Sequence, residues 1–83
     1  MTDLLLAAQA AFPLLPFEAD GRRIVCRFDG GELSLVRSRT GNYVCRFHNR
    51  VCSIRRIGRD IDAVLGSMRF SLACGSKGLA NEQ

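Results

Sequence analysis

The most reactive side chains in this sequence are four cysteines and a single histidine, and three of them fall in the run Cys45-x2-His48-x3-Cys52. Cys26 or Cys74 would have to supply a fourth ligand. Zinc takes four converging nitrogen and sulfur ligands, usually in closely spaced pairs presented by two tight turns. The spacing here is irregular, and if the stretch is a strand, alternation sends His48 to the face opposite Cys45. The cysteines are therefore expected to act as small buried hydrophobes, and no metal or other cofactor is expected.

Disulfide chemistry depends on compartment and geometry. Leu4 to Ala11 is apolar, but Asp3 stands where the basic segment of a secretory leader belongs. The apolar run is also far short of the roughly 20 residues a membrane span needs. The expectation is a cytoplasmic chain with no membrane segment and with reduced thiols. Cys26 and Cys45 would sit on strands separated by a third, roughly 10 Å apart, too far to bridge. Cys45 and Cys52 are the one credible pair, because a two-residue His48-Asn49 turn would set them opposite each other.

Catalysis finds little to work with. There is no Ser-His-Asp order, no nucleophile elbow and no carboxylate pair spaced for a cleft. Asp60 and Asp62 lie two apart and do not share a helix face. His48 reads as a turn residue, and the chain is expected not to be an enzyme. No phosphate-cradling glycine motif is present either: Gly75-Ser76-Lys77-Gly78 follows a helical pattern where such a loop precedes one.

What remains is arginine. Eleven arginines stand against one lysine, and the net charge is +4. Between Leu33 and Arg59 lie Arg37, Arg39, Arg46, Arg50, Arg55, Arg56 and Arg59 without one acidic residue. Arginine preference alone can reflect genomic base composition; the clustering predicts a positive region of surface, suited to phosphates or to an acidic protein patch. A charge of +4 with no basic tail is modest for a dedicated nucleic-acid binder.

The elements that would position these groups follow from periodicity. With 83 residues, 47% hydrophobic and 24% charged, the chain has room for one core and reads as a single domain, 1–83. Thr2 can cap a helix over 1–12 that Pro13 and Pro16 stop. Its apolar residues lie nearly all round, which predicts burial of more than one face and makes a homodimer through this helix an alternative to a monomer. Pro13 to Gly21 reads as an extended linker anchored by Phe12, Leu14, Leu15 and Phe17.

Short alternating runs over 22–54 predict an antiparallel meander of three to four strands. A two-residue Gly30-Gly31 turn would pair Phe28 with Leu33 and Cys26 with Leu35. A three-residue Thr40-Gly41-Asn42 loop, with Gly41 or Asn42 at positive φ, would pair Leu35 with Phe47 and Arg37 with Cys45. The inner face is then Ile24, Cys26, Phe28, Leu33, Leu35, Tyr43, Cys45, Phe47, Cys52 and Ile54. Val25, Arg27, Ser34, Val36, Ser38, Val44, Arg46, His48 and Val51 point outward.

A last helix over 58–73 carries Ile57, Ile61, Val64, Leu65, Met68 and Leu72 at core spacing, with Asp60 and Asp62 in its first turn. Arg55 and Arg56 are expected in the connection before it, Gly75 as its stop, and 76–83 as a frayed tail. The predicted class is α+β: an N-terminal helix, the meander, and a C-terminal helix packed on one sheet face.

Such a chain, without evident chemistry, is expected to work by binding. The candidate site is the valine and arginine face of Arg27, Arg46, Val36 and Val44 with Arg50, Arg55, Arg56 and Arg59. The expected partner is a larger protein or a ribonucleoprotein complex. Size and class alone suggest an inhibitor of host defence of the phage or mobile-element kind, such as an anti-CRISPR protein. The alternative is a small basic protein that places the same arginines on the phosphates of a nucleic acid.

Overall fold

A computed structural model describes residues 2–28 and 30–81, with side chains from residue 4 to residue 73 apart from 29. The order is α1 (Thr2–Ala11), β1 (Glu18–Asp20), β2 (Arg23–Phe28), β3 (Gly31–Arg37), β4 (Tyr43–His48), β5 (Ser53–Gly58) and α2 (Ile61–Asn81). The strands form one antiparallel sheet in the order β1-β2-β3-β4-β5. Both helices pack against it, α1 over β2 and β3, and α2 over β4 and β5. The α+β class and the docked C-terminal helix agree with the pattern read from the sequence, with one strand more than the upper count.

Pro13 has no amide hydrogen and restricts the residue before it, so α1 cannot run on. The Phe12 amide still closes a last turn on the Ala8 carbonyl at 2.9 Å. Gln9 Nε2 then donates to the Leu15 carbonyl at 2.7 Å and the Phe12 carbonyl at 3.3 Å, pinning the turn that follows. Leu4 and Ala8, four apart on one helix face, are buried in the same core as the sheet, so much of the apolar excess of α1 is covered within the chain. Phe12, Leu15 and Phe17 anchor the connection as expected, but Leu14 does not: it is 94% exposed. The connection also contains β1, whose three residues are too few to show alternation.

Three hairpins set the register, and each departs from expectation in an informative way. Phe28 pairs with Gly31, Cys26 with Leu33 and Ile24 with Leu35, so the turn lies one residue earlier than Gly30-Gly31. Gly30 takes the positive φ, 74°. Gly31 is the first residue of β3, where a Cβ would collide with the His48 carbonyl oxygen on β4, an approach only glycine allows. The next loop does have three residues, but they are 39–41: Leu35 pairs with Cys45, Arg37 with Tyr43, and Gly41 has φ 90°. Its ends are closed by the Ser38 amide donating to the Asn42 carbonyl at 2.7 Å. Both corrections move the pairing by two residues, which is the side-chain period of a strand, so every inward residue stays inward.

The third hairpin differs more. His48 pairs with Ser53 across a four-residue loop, 49–52, in place of a two-residue turn. Asn49 organises it: its Oδ1 accepts from the amides of Val51 at 2.8 Å and Cys52 at 2.9 Å, the side-chain mimic of a backbone turn. Cys45 consequently stands opposite Arg56, and Cys52 lies in the loop, so the expected Cys45–Cys52 juxtaposition does not form. Cys26, Cys45 and Cys52 are free thiols.

Longer pairing carries β5 on through Arg55, Arg56 and Ile57, residues expected to lie in the connection or on the helix. Ile57 is thereby placed on the outward side of the sheet, 52% exposed, and not in the core. Helix α2 starts at Ile61. Asp60 caps it, with Oδ1 accepting from the Asp62 amide at 3.1 Å and its carbonyl from the Val64 amide at 3.0 Å. The helix passes Gly75 and continues to Asn81, beyond the expected stop at 73 and through most of the expected frayed tail. A glycine costs a helix interior only about 1 kcal/mol, which permits passage as readily as termination.

Between sheet and helices lie Ile24, Cys26, Leu33, Leu35, Cys45 and Phe47 with Val64, Leu65 and Met68, and no polar side chain is buried among the described residues. The Phe28 and Phe47 rings pack with centroids 5.1 Å apart, tilted by 40°. No described helix is long and apolar enough to cross a membrane.

Candidate interaction face

The helices cover one side of the sheet and leave the other open. Register arranges that open side in three cross-strand rows. One runs Asp20, Arg23, Val36, Val44, Ile57; the next runs Glu18, Val25, Ser34, Arg46, Arg55; the last runs Arg27, Glu32, His48, Ser53. Val36, Val44 and Ile57 thus form a continuous apolar strip, and Arg46 and Arg55 stand directly opposite each other beside it.

Charge is unevenly divided along these rows. At the β1 side Arg23 is shared by Asp20, at 3.5 Å, and Glu32, at 4.0 Å, and His48 Nε2 lies 3.9 Å from Glu32 Oε1. At the β5 side Arg46 and Arg55, both exposed, have no ion-pair partner among the described residues. Like charges opposite one another on neighbouring strands destabilise a sheet by some tenths of a kcal/mol up to about 1 kcal/mol. A folded chain carries that penalty more readily where the two guanidiniums meet a common anion, since each offers a planar fork of donors matched to carboxylate or phosphate.

The structure brings together most of the expected site and removes one member. Arg27, Val36, Val44, Arg46 and Arg55 share the outer face. Arg50 is exposed in the 49–52 loop, and Arg59 is exposed just after β5, both flanking the arginine pair. Arg56 points the other way: half-buried on the helix side, its Nη2 donates to Ser71 Oγ of α2 at 2.7 Å and its Nη1 to the Arg55 carbonyl at 2.9 Å. Its role is to tie α2 to β5. Ile57 joins the face unforeseen, and Val25 stands on it as its outward alternation predicts. Ile54-Arg55-Arg56-Ile57 has the three-residue apolar spacing of a helix, which hid its outward member; the poor fit of two arginines to a helix N-terminus was the signal against that reading.

The cysteine and histidine set does not converge. Cys45 is buried on the inner face, His48 is exposed on the outer one, and Cys26 is separated from Cys45 by β3. Burial pushes the Cys45 thiol up to about 12 and raises Cys26 as well, in the latter with a smaller contribution from the Glu18 carboxylate. Metal ligation and nucleophilic attack both need the thiolate that burial disfavours. Among the described residues no three His, Cys, Asp or Glu side chains stand close enough to hold a metal ion. The side chain of Cys74 lies outside the described residues.

No protein-family model matches the chain, and neither a curated protein nor a solved structure matches it.

Proposed function

We propose that this chain is a non-enzymatic binding protein that docks the β4–β5 half of its outer sheet face on an acidic surface of a larger protein. The observation that carries the reading is the Arg46–Arg55 pair, opposite each other, exposed and without a counter-charge among the described residues, beside the Val36–Val44–Ile57 strip. Arginines flanking an apolar strip resemble the centre of a protein interface, where arginine anchors are enriched. A phosphate backbone offers nothing apolar for that strip to cover. Size and class suggest an inhibitor; the face itself speaks for docking and leaves open what docking does to the partner.

The test places a photo-crosslinking residue at Val44 and, separately, at Ala63 on the exposed side of α2, in an extract of the source cells. Crosslinks from Val44 to a discrete protein, lost on Arg46→Glu and unaffected by His48→Ala, are expected. Crosslinks from Ala63 alone would move the interface to the helices. Titration with duplex DNA and single-stranded RNA at about 50 and 200 mM salt decides the alternative: tight binding that falls steeply with salt is the signature of counterion release and would replace a protein partner with a nucleic acid.

A further inference from the structure

The sheet has two edges, and they are built differently. At one end β1 is three residues long and carries the carboxylates of Glu18 and Asp20, which makes it a short and acidic edge. Short, charged edges are how sheets avoid pairing with other chains. At the other end β5 offers six residues. Its ladder partners are all on β4, and among the described residues the only further hydrogen bond to its backbone comes from Arg56 Nη1 to the Arg55 carbonyl.

The rows of the outer face reach this edge incomplete. One row ends in the Arg46–Arg55 repulsion, and its neighbour ends in the exposed Ile57. A further strand would continue both rows, with cross-strand neighbours close enough to pair. Beside Arg55 the row calls for a carboxylate; beside Ile57 it calls for an apolar side chain. On the helix side the intervening residue would stand beside Arg56, and an acidic or polar side chain there would draw the guanidinium off the Arg55 carbonyl and free that carbonyl for the new ladder.

We propose that β5 is an acceptor edge to which the partner adds an antiparallel strand with the order apolar, polar or acidic, acidic, setting its apolar residue beside Ile57 and its last acidic residue beside Arg55. Strand addition draws affinity from main-chain bonds and selectivity from alternate side chains. The arginines act as the selector. The same charges disfavour a second copy as the occupant, since pairing β5 with itself would crowd Arg55 and Arg56 of one copy against those of the other. This inference rests on the docking reading and specifies its geometry.

The experiment uses the full chain and a labelled synthetic peptide of about eight residues, long enough for one strand, carrying that alternation; a second peptide has lysines in place of its acidic residues. Anisotropy gives affinity and amide hydrogen exchange gives location. Expected are binding of the acidic peptide, a loss of about tenfold on Arg55→Glu as an attractive cross-strand pair turns repulsive, a reversed preference for the lysine peptide in that variant, and slowed exchange along β5 but not β1. Failure of the acidic peptide to bind, or binding without slowed exchange in β5, overturns strand addition. If Val44 crosslinks to a protein in that case, the docking face stands without the edge; if it does not, both readings fall.

Discussion

Along β4, neighbouring side chains live under different rules. Cys45 and Phe47 are 1% and 2% exposed beneath the helices, packed against Leu33, Leu35 and Met68. Val44, Arg46 and His48, one residue away in each case, project from the uncovered side. The inner face is closed: it buries no polar group, and its composition is dictated by filling space. The outer face is free of that demand, and it carries an apolar strip and a like-charge pair. Where composition exceeds what folding requires, binding is the physical account to test first.

The contrast can be broken most directly by truncating adjacent residues. Phe47→Ala is expected to cost about 3–5 kcal/mol of stability, through lost burial and the cavity left behind. Arg46→Ala should stay within about 0.5 kcal/mol. Urea unfolding of the two variants measures both, and equal costs would erase the distinction between the faces.

Next in size is an alkaline effect confined to the inner face. The Cys45 thiol is raised from 9.0 to about 12 by burial, so its folded form favours the proton. Its contribution is complete below pH 9.0 and is lost as pH rises towards 12. Each pH unit in that window removes at most about 1.4 kcal/mol. Cys45→Ala, less stable overall because of the smaller side chain, should show the flatter dependence between pH 9 and the alkaline limit of folding; parallel curves would mean the thiol is not the group responsible.

Asp60→Ala removes the cap that starts α2 and should lower stability by about 1 kcal/mol, seen as a shifted unfolding midpoint with unchanged slope. The smallest effect has the opposite sign. Arg55→Glu converts the outer-face repulsion with Arg46 into an attractive pair and should stabilise the isolated chain by some tenths of a kcal/mol, about 1 at most, while weakening partner binding. A variant that gains stability and loses binding would show that the pair is retained for recognition, as strained or costly features at functional sites often are. A loss of both would place Arg55 among residues the fold itself needs.

Much of the inner face was legible before any coordinates, and the reason is specific. Both early hairpins were displaced by one residue in their turns, which shifts pairing by two and leaves Ile24, Cys26, Leu33, Leu35, Cys45 and Phe47 facing inward regardless. The features that build the site were less legible. Asn49 closes a four-residue loop through its side chain, a local geometry that Cys45-x2-His48-x3-Cys52 gave no hint of. Ile54 to Ile57 satisfies helix spacing as well as it satisfies a strand, so from sequence Arg55 and Arg56 both read as connection residues on the binding surface and Ile57 as a core residue of the helix.

The amino-acid order alone determined what is periodic: two helices around a meander, which strand residues face in and which face out, and a basic stretch from Arg37 to Arg59. Tertiary structure alone decided which residues meet. Alternation is a local property with a period of two and survives small errors, whereas the partner across a ladder depends on every residue of every loop. The opposition of Arg46 and Arg55, the separation of Cys45 from Cys52, the turning of Arg56 toward Ser71, and the exposure of β5 at the sheet edge all arise at that second level.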